Sequence, residues 1–247
     1  MALQETFEEQ GNWLFKRRSY FPIIILTVGI LWYIFLLHNH EVSVHKWWVN
    51  LLFLCVGFLG LGIRIFTIGF TPAGTSGRNT DKGQVAEQLN TSGIYAMVRH
   101  PLYLGNFFMW LAPVLIISDM WFILFFCAFY WIYYERIMFA EEQFLRKKFG
   151  QTYLDWANKT PAFFPKFSQY KKANLNFSLK NVLKREYSGF FGMIFIMTML
   201  RMIGFAVTTE QFYLDKPWII IFSVAFVIFA LLKMLKKFTK VLNVEGR

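Results

Sequence analysis

The chain has 247 residues with a mean hydropathy of +0.39, and 56% of its residues are hydrophobic. Its 30 Phe residues are too many for the core of a water-soluble protein of this length, so the composition excludes an ordinary soluble domain and predicts a membrane protein. The net charge of +11 then predicts contact with anionic lipids at one membrane face, and no nucleic-acid-binding motif accompanies it.

The sequence offers few residues for disulfides or metal sites. Its two cysteines, Cys55 and Cys127, lie inside apolar runs, where we predict that they serve as packing residues. Three of the four histidines fall in the short segment 38–45, but no cluster of carboxylates accompanies them, so we predict no metal site. The first apolar run lacks a small-residue cleavage site after it, and we therefore expect no cleavable signal peptide.

The first part of the chain predicts an interfacial segment followed by two membrane spans. Trp13 beside the basic run Lys16–Arg18 is typical of the boundary between lipid headgroups and water. A first span is predicted from Phe21 to Leu37, after which a short loop leads to a second span from Trp47 to about Phe70.

The second span carries four glycines and one arginine. Because the segment is apolar and helical in pattern, the glycines favour close packing of membrane helices over a nucleotide-binding loop. Arg64 must either extend to the interface or pair with a partner inside the helix bundle. We favour the second interpretation.

Residues 71–91 form a polar segment that is rich in glycine, hydroxyl and amide groups. With Arg78 and Lys82, such a loop can hold an anion in the way that backbone N–H groups and Arg side chains bind phosphate. The same residue types also make ordinary flexible turns. The sequence leaves both interpretations open.

The segment from Ser92 to Gly105 joins two very apolar runs and contains an Arg-His-Pro sequence. A residue that precedes proline avoids the α region, so we predict that a helix begins near Pro101. Arg99 and His100 then lie at the N-terminus of that helix, at the membrane edge. They either serve a functional site or form a basic anchoring collar.

Four further spans complete the predicted fold. They cover Leu102–Ile117, Met120–Tyr134, about Phe190–Val207 and Pro217–Leu235. The helix that starts at Met120 is predicted to continue beyond the membrane and to end at Gly150, a residue that suits a helix C-terminus.

Six spans place both termini on one side of the membrane. All but four of the 26 Lys and Arg residues fall on that side, which the positive-inside rule makes cytoplasmic. We therefore predict an all-α polytopic integral membrane protein with cytoplasmic termini. The polar segments 71–101, 135–149 and 150–167 share the cytoplasmic face, and together they form one candidate site.

Two motifs within residues 85–167 resemble the membrane methyltransferases related to isoprenylcysteine carboxyl methyltransferase and the phospholipid N-methyltransferases. The first runs from Gly93 to Gly105, and the second from Glu141 to Tyr153. The resemblance implies S-adenosylmethionine as the methyl donor, bound between the motifs. The residues implied in the cofactor pocket are Gly93, Tyr95, Arg99, His100, Tyr103, Leu104, Gly105, Glu141, Glu142 and Tyr153.

The chemistry of these side chains suits that donor. Arg99, His100 and a helix N-terminus can bind its carboxylate. Glu141 and Glu142 can accept hydrogen bonds from its ammonium and ribose hydroxyls. Tyrosine faces attract a sulfonium. We divide the chain into residues 1–70 with two spans, a catalytic core at 71–167 with two spans, and residues 168–247 with two more.

The acceptor is predicted to be anionic, because a carboxylate or phosphate needs no general base before it attacks a methyl group. Arg64, Arg78 and Arg136 are the predicted contacts for its charge. We predict O-methylation of a lipid phosphate of the lipid A type, which some bacterial relatives of this family modify. Isoprenylcysteine carboxyl methylation and phospholipid amine methylation are the alternatives.

Two further readings belong to other classes of protein. A steroid-reductase-like membrane enzyme would bind NADPH instead of S-adenosylmethionine, and a lipid-binding membrane protein would carry out no catalysis. The composition, biased toward Phe, Lys and Asn, favours a bacterial source, and we expect a protein of the inner membrane with its active site on the cytoplasmic side.

Overall fold

The computed structural model describes residues 2–72, 74, 84 and 86–247. Arg78 and Lys82, with most of the predicted anion-binding loop, lie outside the described residues. Within the described part the chain forms eight α-helices and two short 3-10 helices. The α-helices are α1 (Leu3–Lys16), α2 (Phe21–His38), α3 (Trp47–Gly69), α4 (Pro101–Ile117), α5 (Met120–Phe149), α6 (Gln151–Ala157), α7 (Leu179–Thr209) and α8 (Lys216–Phe238).

Six of these helices are apolar, and they follow the order of the six predicted spans. By length and composition α3, α5, α7 and α8 can each cross a membrane, and α2 and α4 are shorter apolar helices. Apart from one isolated bridge between Gly93 and Lys171, the described residues form no β-structure. The predicted all-α membrane fold is thus confirmed, whereas the sidedness of the termini stays a prediction.

Local sequence explains where several helices begin and end. α4 begins at Pro101, as predicted, since proline suits the first helical position. The side chain of Asp119 accepts a hydrogen bond of 2.8 Å from the backbone N–H of Phe122 at the start of α5, which ends before Gly150 as predicted. α7 begins at Leu179, well before the predicted start of its span, and the side chain of Ser178 caps it by accepting a hydrogen bond of 3.3 Å from the backbone N–H of Asn181.

The helix connections meet at two opposite ends of the bundle. At one end, the indole N–H of Trp32 donates to Asp119 over 3.0 Å, and Arg201 Nη1 donates to the carbonyl of His45 over 2.8 Å. At the other end, the backbone N–H of Gly93 donates to the carbonyl of Lys171 over 2.9 Å. Described residues of the three predicted polar segments meet at this end: the backbone N–H of Arg99 donates to the carbonyl of Pro161 over 2.9 Å, and His100 contacts Glu142.

Small residues allow α3 to approach its neighbours closely. A side chain at Gly60 would collide with the backbone of α4 at Gly105, and one at Gly57 would collide with Met193 of α7. This confirms the predicted packing role for Gly57 and Gly60. Among the described residues, no atom lies within 4 Å of a side chain added at Gly62, so the prediction is wrong for that residue. The prediction for the cysteines is wrong for Cys55, which is exposed on α3, whereas Cys127 packs against the core.

Candidate active site

A cavity of about 560 Å³ lies at the end of the bundle where the polar segments meet. It is bounded by the α1–α2 connection, by α3, by the segment that leads into α4, and by α5, α6 and α7. The polar and aromatic residues that line it include Phe15, Arg18, Ser19, Arg64, Gln88, Asn90, Tyr95, Arg99, His100, Tyr103, Glu141, Glu142, Tyr153, Trp156, Arg185, Glu186 and Ser188.

The Arg-His-Pro sequence is held in place through its backbone. The N–H groups of Arg99 and His100 donate to the carbonyls of Pro161 and Ala162 over 2.9 and 3.1 Å, and α4 starts at the next residue. These bonds satisfy two backbone N–H groups that have no helical partner, because Pro101 keeps the residues before it out of the α conformation. The segment after α6 therefore fixes the direction in which the two side chains enter the cavity.

The two sequence motifs make direct contact through His100. Its Nε2 lies 2.9 Å from Glu142 Oε1, and its Nδ1 lies 3.6 Å from Glu141 Oε2. Arg99 Nε lies 2.9 Å from the same oxygen of Glu142, and the hydroxyl of Tyr103 donates to Glu141 over 2.7 Å. Two adjacent carboxylates on α5 thus face a histidine, an arginine and a tyrosine from the first motif.

These carboxylates control the protonation of their neighbours. Burial lowers the pKa of His100, but hydrogen bonding and the charges of Glu141 and Glu142 outweigh burial and raise the pKa above its ordinary value. Burial, together with the charge of Glu141, raises the pKa of Tyr95 to about 12. The site therefore favours an imidazolium at His100 and a neutral phenol at Tyr95.

An aromatic stack leads from His100 into the bundle. The ring of Tyr103 lies 5.8 Å from that of His100 and 4.7 Å from that of Tyr134, whose ring is 4.2 Å from Tyr130. The hydroxyl of Tyr130 donates to the carbonyl of Tyr103 over 2.6 Å. The stack holds the Tyr103 ring against the cavity, where an aromatic face attracts a cation.

A second ionic group lies at the membrane side of the cavity. Arg64 Nε and Nη2 donate to the two oxygens of Glu186 on α7 over 2.6 and 2.8 Å, and Nη1 donates to Asn106 over 2.6 Å. This pair confirms that Arg64 has a partner inside the bundle. Sequence reasoning missed Glu186, although it is the lone acidic residue in the basic stretch 168–188.

The cavity brings together most of the predicted cofactor residues. Those that line it are Tyr95, Arg99, His100, Tyr103, Glu141, Glu142 and Tyr153. The other three lie elsewhere. Gly93 turns the chain with φ +61° beside Ala173, Leu104 is buried in the hydrophobic core, and Gly105 faces Gly60 and Arg64 on α3.

Of the three arginines predicted to bind the acceptor, the structure describes Arg64 and Arg136, and these two lie in different places. Arg64 lines the cavity. The Arg136 guanidinium instead lies 3.6 Å from the ring centre of Phe7 on α1 and pairs with Glu135 at 2.9 Å, so the structure does not bring it to the described cavity lining. Arg78 lies outside the described residues.

Similarity to known proteins falls on the same region. The family model described as phospholipid methyltransferase matches residues 50–152. Protein-S-isoprenylcysteine O-methyltransferase from Schizosaccharomyces pombe is 33% identical over 113 residues, which are 44% of this chain and 48% of that protein. The corresponding protein from Tribolium castaneum is 29% identical over 50% of this chain and 44% of its own length.

A third relative carries a different name. The cobalt-zinc-cadmium resistance protein CzcN from Cupriavidus metallidurans is 29% identical over 50% of this chain and 54% of its own length. The chain spans about half the length of the curated relatives it matches. No solved structure matches it.

The matched residues 50–152 contain α4, α5, nearly all of α3 and all but the last residue of the second motif, whereas α1, α2, α7 and α8 lie outside them. The cavity is thus built on the shared region and completed by helices on either side of it. Through this region the chain is similar to membrane methyltransferases of the phospholipid and isoprenylcysteine type.

Proposed function

We propose that the protein transfers a methyl group from S-adenosylmethionine to an acceptor that is held in the bilayer by a lipid or prenyl chain, and that it does so at the cytoplasmic face. The observation that carries this proposal is the direct contact between Arg99-His100 and Glu141-Glu142 in one cavity. The basic residues at this end of the bundle support the cytoplasmic placement.

The cavity fits the proposed donor in size and chemistry. Its volume of about 560 Å³ lies within the range of pockets for small molecules and cofactors. When bound, S-adenosylmethionine supplies an electrophilic methyl group on a positively charged sulfur. Arg99, His100 and the start of α4 would hold its carboxylate, and Glu141 and Glu142 would hold its ammonium and ribose hydroxyls.

The tyrosines of the cavity would bind the sulfonium of the donor. Tyr95, Tyr103 and Tyr153 line the cavity and offer neutral aromatic faces to a sulfonium. The raised pKa of Tyr95 keeps its phenol neutral to well above neutral pH. The contribution of these side chains to the rate is alignment, since methyl transfer from sulfur is an in-line displacement.

We propose the carboxylate of an isoprenylcysteine as the first acceptor to test. Two of the relatives carry that substrate in their names, and a carboxylate attacks without a general base. Arg64 supplies a cation at the membrane side of the cavity, where the anionic oxygen of such an acceptor would enter. A lipid phosphate of the lipid A type would bind the same Arg64 cation, and it is the second acceptor to test.

The test is methyl transfer in nanodiscs with labelled donor and three acceptors in parallel: a farnesylcysteine acid, a lipid phosphate and phosphatidylethanolamine. We expect label in a base-labile methyl ester of the farnesylcysteine. Label on the amine lipid alone would refute the anionic acceptor. Binding of NADPH with no binding of S-adenosylmethionine would refute the proposed reaction class.

Variants of α5 show whether the cavity carries the activity. Glu142→Gln removes a charge that faces His100 and Arg99, whereas Glu135→Gln removes a half-exposed charge of the same helix. We expect the first variant to lose methyl transfer and the second to retain it. Equal activity of the two variants would contradict a site between the motifs.

A further inference from the structure

The Arg64–Glu186 pair joins the region shared with methyltransferases to a helix outside that region. Arg64 lies on α3 within the matched residues, and Glu186 lies on α7 beyond them. Arg185 and Ser188, also from α7, line the same cavity. Helix α7 thus contributes part of the wall of the cavity.

Burying the Arg64–Glu186 ion pair inside the helix bundle costs free energy. Glu186 is only 4% exposed, and the side chain of Arg64 is 20% exposed toward the cavity it lines. Removing two charges from water costs free energy that their mutual attraction only partly offsets, and a well-packed pair of apolar side chains often stabilises a fold equally well. Charges kept inside membrane helices are therefore more often retained for a function than for stability.

The hydrogen bonds fix the plane of the guanidinium. Glu186 accepts hydrogen bonds from Nε and Nη2 of Arg64, and Asn106 accepts one from Nη1. These bonds between described residues use three of the five N–H donors that an arginine carries. Both oxygens of Glu186 are occupied. No bond between described residues uses the other two N–H donors on the terminal nitrogens, and a carboxylate or phosphate oxygen in the cavity can accept from them.

We propose that Glu186 is a positioning residue for the methyl acceptor: it holds Arg64 so that the remaining N–H donors bind the anionic group of the acceptor, and α7 thereby completes the acceptor end of the cavity. This inference rests on the proposed function. The inference gives α7 a part in selecting an anionic acceptor. Without Glu186, α3 and α4 alone would hold the acceptor in a less defined orientation.

The experiment measures binding of N-acetyl-S-farnesylcysteine to purified protein in detergent by calorimetry, without methyl donor, and then KM and kcat with donor present. For Glu186→Gln we expect the acceptor Kd and KM to rise about tenfold or more, because the guanidinium loses its fixed plane. The Kd for S-adenosylmethionine should stay within about twofold of the wild-type value. Glu186→Asp keeps the charge and should recover part of the loss.

A matched control lies at the other end of the same helix. Arg201 on α7 pairs with Asp215, far along the chain from the cavity lining. Asp215→Asn breaks this second arginine–carboxylate pair and should lower the unfolding temperature without changing the acceptor Kd. The double variant Arg64→Gln/Glu186→Gln leaves no unpaired charge, so it should stay folded while its acceptor Kd remains raised.

Three results would overturn the proposal. The first is a wild-type acceptor Kd in Glu186→Gln. The second is a loss of kcat at unchanged KM with an altered pH profile, which would make Glu186 a base. The third is a wild-type acceptor Kd in the double variant. If the wild-type protein binds neither donor nor acceptor, the proposed function itself fails, which is a different result from any of these.

Discussion

Glu142→Gln is the substitution whose effect follows most directly from the geometry. Oε1 of Glu142 lies 2.9 Å from both His100 Nε2 and Arg99 Nε. A charge-assisted hydrogen bond contributes about 1.5–3 kcal/mol, and a glutamine oxygen can still accept one neutral bond. We therefore expect a loss of about 2 kcal/mol in the free energy of donor binding, which corresponds to a roughly thirtyfold rise in Kd.

The assay is calorimetric titration of S-adenosylmethionine into both proteins in the same detergent. Glu135→Gln serves as the control, because its carboxylate is half-exposed on the same helix and pairs with Arg136. Thermal unfolding of each variant shows whether the fold is retained. A donor Kd within twofold of wild type in folded Glu142→Gln would refute the reasoning that this carboxylate organises the donor site.

Three further predictions use other parts of the structure. Because the pKa of His100 is raised in the folded state, the stabilisation by its charged form is complete below about pH 6.5 and is lost as the pH rises through the folded pKa, so the unfolding temperature of wild type should fall across that window more than that of His100→Gln. Gly105→Ala places a methyl group 2.5 Å from Arg64 Cγ and 2.8 Å from the carbonyl of Gly60, which should cost about 1–3 kcal/mol of unfolding free energy in a detergent melt. Tyr103→Phe removes the 2.7 Å bond to Glu141 and should weaken donor binding about fivefold or more in the same titration, with the fold intact.

Local rules explain what the sequence predicts well. The start of α4 at Pro101 and the end of α5 before Gly150 follow from backbone preferences of single residues. The contact between the two motifs follows from the alternation of spans, which returns both to the same end of the bundle. Short-range chemistry and helix count are enough to predict that His100 and Glu142 lie at the same end of the bundle.

Contacts across the bundle are not encoded locally. Glu186 meets Arg64 across 122 positions of sequence, and no local pattern distinguishes it from a solvated charge. The prediction for Arg136 depended on helix register. It lies five residues before Glu141, a separation that turns a side chain about 140° around an α-helix, so Arg136 faces α1 while Glu141 faces the cavity.

Glycine positions show a second limit. Gly105 belongs to the first motif, yet its missing side chain serves contact with α3 and not the cavity lining. A helix presents different residues of one short motif to different neighbours, because successive positions point about 100° apart. The motif therefore combines residues of the site with residues that hold α3 and α4 together.

The most direct test of the central claim is an experimental structure of the protein bound to S-adenosylhomocysteine, the product that remains after methyl transfer. We predict density for this product in the cavity, with its carboxylate near Arg99 and His100 and its ammonium or ribose near Glu141 and Glu142. Density at another place on the protein, or a cavity without product at a saturating concentration, would contradict the account.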